Sequence, residues 1–493
     1  GVITHGTRGD TQPFVAIAQE LEARGHQVAI CCPSSSVKQV QGHGLEAYGM
    51  TFDAEKLIKS DRMQAAMAAG DGNRCVEAFF DGIRDQRAQG ADSAEEASAF
   101  VASYKPDVIL GHASMQEFAL IAERYGLPVL QVMFMPFLPS RSSYPAFQTR
   151  GRLEAEGLLG DPLEAHRRLF RAFLGEAEAA ELNAQRERWG LRPYASLSEV
   201  HAAFQALPTA NCWSAAVEPE PADLRAEFPL SRQTGYAFAE EPPDFKPPAR
   251  LEAFLQEDEK PVYVGFGSLA AGDPRVVTEK VLRALIIAGH KRCVMCGGWA
   301  GIGPEHLDPE LTEDYEELKS FADSHVCKVD SVPHSWLLPR CAGAVHHGGA
   351  GTTGASARAG VPAAIAPFAW DQPWWAERLE ELGVGIALPA MITALGAEEL
   401  GAAIARLVGD PAMAECAAAL GAGIRSERRG VERLAELAEA TVSAPFAWPT
   451  AAQPTPSKNP ATLWERSAPV TDIFHGKAGQ PISGTELVSF AGA

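Results

Sequence analysis

The stretch His346-His347-Gly348-Gly349-Ala350-Gly351-Thr352-Thr353 constrains the fold of this chain more than any other, because of what flanks it. Before it runs an apolar segment ending at Val345, and after it come small residues from Ala355 to Ala359, closed by Gly360. The first reads as a buried strand and the second as a short helix, giving the order strand, glycine loop, helix. The glycines let the backbone turn tightly and approach a ligand, and the first N–H groups of the helix favour an anion. Thr352 and Thr353 add hydroxyl donors and His347 an imidazole, so the stretch reads as a phosphate site. Three glycines alone would equally mark a turn between buried elements. The next strand, opening at Val361-Pro362 and running to Pro367, leads into Trp370-Asp371-Gln372-Pro373. In a parallel sheet both loops leave the carboxyl ends of neighbouring strands, the edge where α/β sheets bind ligands. A carboxylate beside a carboxamide suits vicinal hydroxyls, so phosphate on one loop and a polyol on the next point to a nucleotide sugar.

The segment from Pro333 through Gln372 resembles the donor-binding signature of the UDP-dependent glycosyltransferases with the two-domain GT-B fold. The likeness is greater to the sterol 3-β-glucosyltransferase branch and to bacterial enzymes that glycosylate antibiotics than to the plant small-molecule enzymes. Val332-Pro333-His334, Trp336-Leu337, the glycine stretch, Ala359-Gly360-Val361-Pro362 and Asp371-Gln372-Pro373 stand in the family's order. Gly265-Phe266-Gly267-Ser268, Cys212-Trp213-Ser214 with Pro221-Ala222-Asp223, and Gly6-Thr7-Arg8-Gly9-Asp10 carry the resemblance across much of the chain. It implies two Rossmann-like parallel-sheet domains facing across a cleft, an α/β fold.

With 493 residues the chain exceeds one core and suffices for two domains and a tail. The expected division is 1–237 for an acceptor domain, 238–260 for a Pro-rich acidic linker, 261–443 for the donor domain and 444–493 for a poorly ordered tail. No apolar run approaches the roughly 20 residues of a spanning helix, and nothing ahead of the first strand reads as a signal peptide. Gly1 in place of Met leaves room for residues upstream. Nine cysteines without a repeating spacing argue for a reducing compartment, so a cytoplasmic location is expected. Cys293-Val294-Met295-Cys296 lacks a second ligand pair and lies in a buried strand, which disfavours a metal or redox role. A formal net charge of −20 disfavours nucleic acid, while a local basic face could still dock on lipid.

Val2 to His5, the loop to Gln12, a helix from Pro13 and a strand from Gln27 to Cys32 form an opening βαβ unit, with the loop at its ligand edge. There Asp10 reads either as the helix N-cap or as a catalytic carboxylate, the latter on the strength of the resemblance. His112 ends the strand begun at Pro106 and sits on the same edge. The strand Leu127 to Met133 runs into Phe134-Met135-Pro136-Phe137. His112, Met133, Phe134 and Phe137 are therefore candidates for an acceptor wall. Glu154 to Trp189 reads as one long helical pattern in which His166, Arg167, Arg168 and Arg171 make a basic face. Such a face either lies on a membrane surface or, the preferred reading, stays in water.

The resemblance implies an inverting transfer of glucose from UDP-glucose to a hydroxyl of a hydrophobic acceptor, a sterol or similar lipid. It places Asp10 as the base, Ser268, His347, Gly349, Gly351 and Thr352 at the diphosphate, Asp371 and Gln372 at the sugar, and Val332 and His334 at the uracil. Gly297 stands where sterol relatives often carry Lys, which removes one phosphate counter-charge. No cofactor is expected beyond UDP-glucose as co-substrate. No metal is expected either, since no acidic D-x-D pair is present and the helix dipole can receive the leaving diphosphate. A polyketide or other secondary metabolite is the alternative acceptor; a nucleotide-sugar epimerase and an inactive UDP-sugar-binding protein are further alternatives.

Overall fold

The computed structural model describes residues 1–443 except 71, 114, 240–244, 258, 268–272, 291 and 299–300, together with His475–Gly476 and Gln480–Pro481. The chain divides into two compact units, the first made of Gly1–Ala54, Gln86–Ala239 and the chain from Arg428, the second of Glu55–Asp85 and Glu240–Glu427.

The first unit holds a seven-stranded sheet of β1 (Val2–Ile3), β2 (Ala29–Pro33), β3 (Glu46–Met50), β4 (Ile109–His112), β5 (Val129–Met133), β6 (Thr209–Asn211) and β7 (Ser231–Gln233). Their spatial order is β3-β2-β1-β4-β5-β6-β7 and every pairing is parallel, with Val2 opposite both Ile30 and Leu110. The inner strands β2, β4 and β5 are buried along their whole length, as expected of strands covered by helices on both faces. The order reverses between β1 and β4, which makes their carboxyl ends the switch point where such sheets take ligands.

The second unit repeats this plan with β8 (Val262–Gly265), β9 (Cys293–Cys296), β10 (Val326–Val329), β11 (Gly343–His346), β12 (Ala363–Ile365) and β13 (Gly385–Ala387). The order is β10-β9-β8-β11-β12-β13, again all parallel. Here the switch point lies between β8 and β11, so the glycine stretch leaves the sheet at that position.

The units exchange two segments relative to the division at 1–237 and 261–443. The helix Gly430–Ser443 belongs to the first unit because Val431, Leu434, Ala435 and Ala438 share its core with Phe14, Val15 and Ala18. The helical segment 55–85 belongs to the second, where Thr393 Oγ1 donates to the Met67 carbonyl at 2.8 Å. The linker 238–260 contains a helix, Ala249–Leu255, with Leu251 buried. The tail 444–493 lies outside the described residues apart from one antiparallel pair of two-residue strands. Among the described residues no single helix is long and apolar enough to cross a membrane.

Candidate active site

In the first unit the loop after β1 turns at Gly6 (φ +103°), where a side chain would run into the Asp10 carboxylate. The helix that follows, Arg8–Ala23, is capped by Thr7 and not by Asp10. Thr7 Oγ1 accepts from Gly9 N at 3.3 Å, while Asp10 Oδ2 accepts from Thr7 N at 2.6 Å and from Thr7 Oγ1 at 3.2 Å. Asp10 is thus the returning carboxylate of a capping box, which corrects the alternative reading of it as the N-cap. Its other oxygen, Oδ1, stands 3.7 Å from His112 Nε2, with Asp10 one-third exposed and His112 almost wholly enclosed. Burial lowers the pKa of His112 and Asp10 partly opposes that shift. His5, at the end of β1, has its pKa lowered to about 3, by burial first and by His112 and Arg87 next.

This packing takes His112 out of the acceptor wall. Its ring stacks on Phe134 (centroids 5.1 Å apart) and meets Phe14 edge-on, leaving 2 % of its surface free, while Met133 keeps 4 %. Phe134 and Phe137 retain partial exposure. Phe137 joins an aromatic cluster with Phe147, Phe170 and Phe173, at centroid distances of 5.1–6.0 Å. The basic face expected on the helix Pro162–Phe173 is also altered: His166 is buried, and Arg167 and Arg168 pair with Glu164 at 3.6 and 3.5 Å.

In the second unit the helix after the glycine loop starts earlier than expected, running over Ala350–Ala359 with Gly349 as its N-cap and no side-chain hydrogen bond at that cap. Gly351 and Thr352 therefore lie in the first helical turn, whose N–H groups have no acceptor within the helix. Gly351 has open space where a Cβ would stand, and Thr353 is buried, so its hydroxyl points inward. Gly348 must be glycine: its φ is +89° and a Cβ would come 2.6 Å from Ile365 Cγ2. The Gly348 N–H donates to His346 Nδ1 at 3.0 Å, which ties the loop back to β11 and places the proton of the neutral His346 on Nε2. His347 lies against Gly267 and Gly349, each of which would clash with it if given a Cβ. Enclosure lowers its pKa to about 4, with His334 adding to the effect, so it is a neutral hydrogen-bonding group at pH 7.

On the adjacent loop Asp371 Oδ2 accepts from Trp375 Nε1 at 2.7 Å, and Gln372 Oε1 accepts from Phe368 N at 2.8 Å. Each residue is held in place by one oxygen, which sets a carboxylate and a carboxamide side by side, the pair of groups suited to a polyol. At β10's end Val332 is buried in the core, so only its backbone could meet a base, and His334 Nε2 lies 3.1 Å from Tyr263 OH. Trp336 packs edge-on to Phe245, with Arg340 over its ring, and anchors its own helix. Ser268 lies outside the described residues. Beside Gly297 stands Lys328, its Cε 3.4 Å from where a Gly297 Cβ would be, with its ammonium paired to Glu305 and Asp330. His346 and His112 are the residues that sequence reading left without these roles; a strand ending in two histidines and a His at the edge shared with Asp10 were the available signals.

Two parallel-sheet α/β units, one with a carboxylate at its switch point and the other with an uncapped glycine-loop helix at its own, define the GT-B class. Residues 1–141 match the glycosyltransferase family 28 N-terminal domain, and residues 309–440 match the erythromycin biosynthesis protein CIII-like C-terminal domain. A sterol 3-beta-glucosyltransferase of Arabidopsis thaliana is 30% identical over 387 residues, covering 77% of this chain and 56% of that protein. One from Eremothecium gossypii is 31% identical over 400 residues, covering 79% of this chain and 30% of that protein. The chain thus spans between about a third and somewhat over half of these relatives. Among solved structures, the calicheamicin glycosyltransferase superposes with a TM-score of 0.60 at 18% identity, covering 90% of this chain and 98% of that one. The kitacinnamycin glycosyltransferase gives 0.59 at 22% identity, covering 89% and 97%. The chain thus has the GT-B fold, is similar in sequence to sterol 3-β-glucosyltransferases, and is similar in fold to the calicheamicin and kitacinnamycin glycosyltransferases.

Proposed function

We propose that this chain transfers glucose from UDP-glucose to a hydroxyl of a hydrophobic acceptor, a sterol or similar lipid, with inversion and without a metal ion. The observation that carries the donor side is the uncapped N-terminus of Ala350–Ala359 at the switch point of its sheet, one loop away from Asp371 and Gln372. An anion there meets unpaired N–H groups and the positive end of a helix dipole, which also receives the charge that develops on a leaving diphosphate. Ser268, His347, Gly349, Gly351 and Thr352 are assigned to that diphosphate, Asp371 and Gln372 to the hexose, and Val332 and His334 to the base.

In the reaction the acceptor oxygen bonds to the anomeric carbon as the bond from that carbon to the diphosphate oxygen breaks. The hydroxyl proton passes to Asp10, and UDP leaves. Oδ2 of Asp10 is engaged by Thr7, so Oδ1 is the oxygen assigned to the proton. Glucose and sterol come from what the matched relatives are named for, and on this reading the protein works in the cytoplasm, meeting its acceptor at a membrane surface. The test is a panel of UDP-sugars against sterols, macrolides and phenols, read as UDP release and product mass. Turnover with UDP-glucose and sterol supports the proposal. Turnover confined to macrolides or phenols moves the acceptor to secondary metabolites, and conversion of the UDP-sugar without acceptor replaces transfer by epimerisation or hydrolysis.

A further inference from the structure

Trp370 stands in the left-handed backbone region, at φ +59°, where a bulky side chain is strained and glycine is not. The other described non-glycine residue with positive φ, Lys105, is the ordinary cap at the end of the helix Ser93–Tyr104. Trp370 ends no helix; it immediately precedes Asp371, the N-cap of Gln372–Glu381. Two fixed points hold it. On one side Asp371 and Gln372 are anchored by the Trp375 indole and the Phe368 N–H. On the other, the half-buried Trp370 indole meets the ring of Phe79 edge-on, with centroids 5.4 Å apart and planes at 77°. Phe79 belongs to the helix Gly72–Ala88, whose first residue is pressed on the same loop: a Cβ on Gly72 would come 2.7 Å from the Phe368 carbonyl oxygen.

A strained backbone held by its surroundings, one residue from a polar pair at the ligand edge, indicates that the side chain is used. Hexoses present C–H faces beside their hydroxyls, and a flat aromatic wall covers such a face while the carboxylate and amide take the hydroxyls. We propose that Trp370, buttressed by Phe79, is a specificity-determining residue for the donor hexose, forming the apolar wall beside the Asp371–Gln372 pair. This rests on the assignment of that pair to the hexose.

The experiment compares wild type with Trp370→Gly, Trp370→Phe and Phe79→Ala. It measures kcat and KM for UDP-glucose, UDP-galactose and UDP-N-acetylglucosamine, Kd for free UDP by calorimetry, and thermal midpoint. Trp370→Gly should keep its midpoint or raise it, because glycine adopts this φ freely. Its Kd for UDP should stay within about twofold, while KM for UDP-glucose rises about tenfold and preference among the three sugars narrows by a similar factor, about one decade of binding constant. Trp370→Phe should recover most of the preference, and Phe79→Ala should move it in the same direction as Trp370→Gly. Unchanged KM and preference in Trp370→Gly overturn this inference alone, as do equal losses for UDP and UDP-glucose. A wild-type protein that binds UDP but turns over none of the three sugars overturns the proposed function and this inference with it.

Discussion

Asp10 divides its two oxygens between two tasks. Oδ2 closes the first turn of its helix against Thr7, and Oδ1 turns toward His112. Thr7-Arg8-Gly9-Asp10 has the spacing of a capping box, a signal that reading Asp10 itself as the N-cap passed over, whereas the catalytic task rested on resemblance. That His112 shares the edge with Asp10 was legible, but their approach to 3.7 Å was not, because it depends on β1 and β4 being direct neighbours although more than a hundred residues separate them. Of the two adjacent histidines, His347 was assigned to the phosphate from the sequence, and the strand register turns His346 inward and leaves His347 partly open. With His347 neutral at pH 7, its contribution to a diphosphate is one hydrogen bond to a charged oxygen. His347→Ala and Thr352→Ala should each weaken UDP binding by about 1–3 kcal/mol in calorimetry. Unchanged affinity in both would remove the glycine loop from the donor site.

Among the elements, the buried parallel strands were readable because most of their residues are apolar, and β9 falls at Cys293–Cys296, where the sequence placed a buried strand. The strands β3 and β7 were missed. Both lie at sheet edges, and Glu46–Met50 and Ser231–Gln233 carry polar or exposed residues in place of an apolar run. The expected helix from Glu154 to Trp189 is instead divided among three helices, since Gly157 (φ +68°) and Gly160 (φ +96°) break the first junction and Gly175 caps the third helix. The donor helix was read as starting late because Gly351, Thr352 and Thr353 are poor helix formers; its N-terminal position holds them there. Two glycines of this element should respond oppositely to alanine. Gly348→Ala forces a Cβ onto Ile365 at positive φ and should destabilise the protein by about 1–3 kcal/mol. Gly351→Ala meets nothing and should raise stability by up to about 1 kcal/mol, since alanine is the better helix former. It should still weaken UDP binding, because the added methyl occupies the ligand's side of the turn. Thermal denaturation and calorimetry on the pair check both statements, and full UDP affinity in Gly351→Ala would mean that no ligand approaches there.

For the whole molecule, pattern reading gave local units, the opening βαβ and the strand–loop–helix of the glycine stretch, while the length left room for two domains and the plan of two Rossmann-like sheets came from the resemblance. The exchange of 55–85 and the last helix between units lay outside the pattern reading, because a linear reading assigns segments by position and not by the core they enter. Folding also encloses several histidines as neutral groups: His166 bonds to the Ser143 carbonyl and His201 to that of Leu174, and burial lowers both pKa values to about 4. The unfolded chain protonates these sites below about pH 6.5, the folded chain only near pH 4, so stability is level above 6.5 and falls between 6.5 and 4. Each site contributes up to a few kcal/mol over that window. The thermal midpoint should therefore hold above about pH 6.5 and drop from there toward pH 4, and a flat profile would place these imidazoles in water. The central claim is transfer from UDP-glucose with Asp10 as the base, and the initial rate of UDP formation with and without sterol, in wild type and Asp10→Asn, tests it most directly. Asparagine keeps an oxygen for the Thr7 N–H but cannot take a proton. UDP formation should depend on the acceptor and fall by about 10²–10⁴-fold in Asp10→Asn, with UDP affinity preserved. UDP formed equally without acceptor, or a near-wild-type rate in Asp10→Asn, would contradict the account.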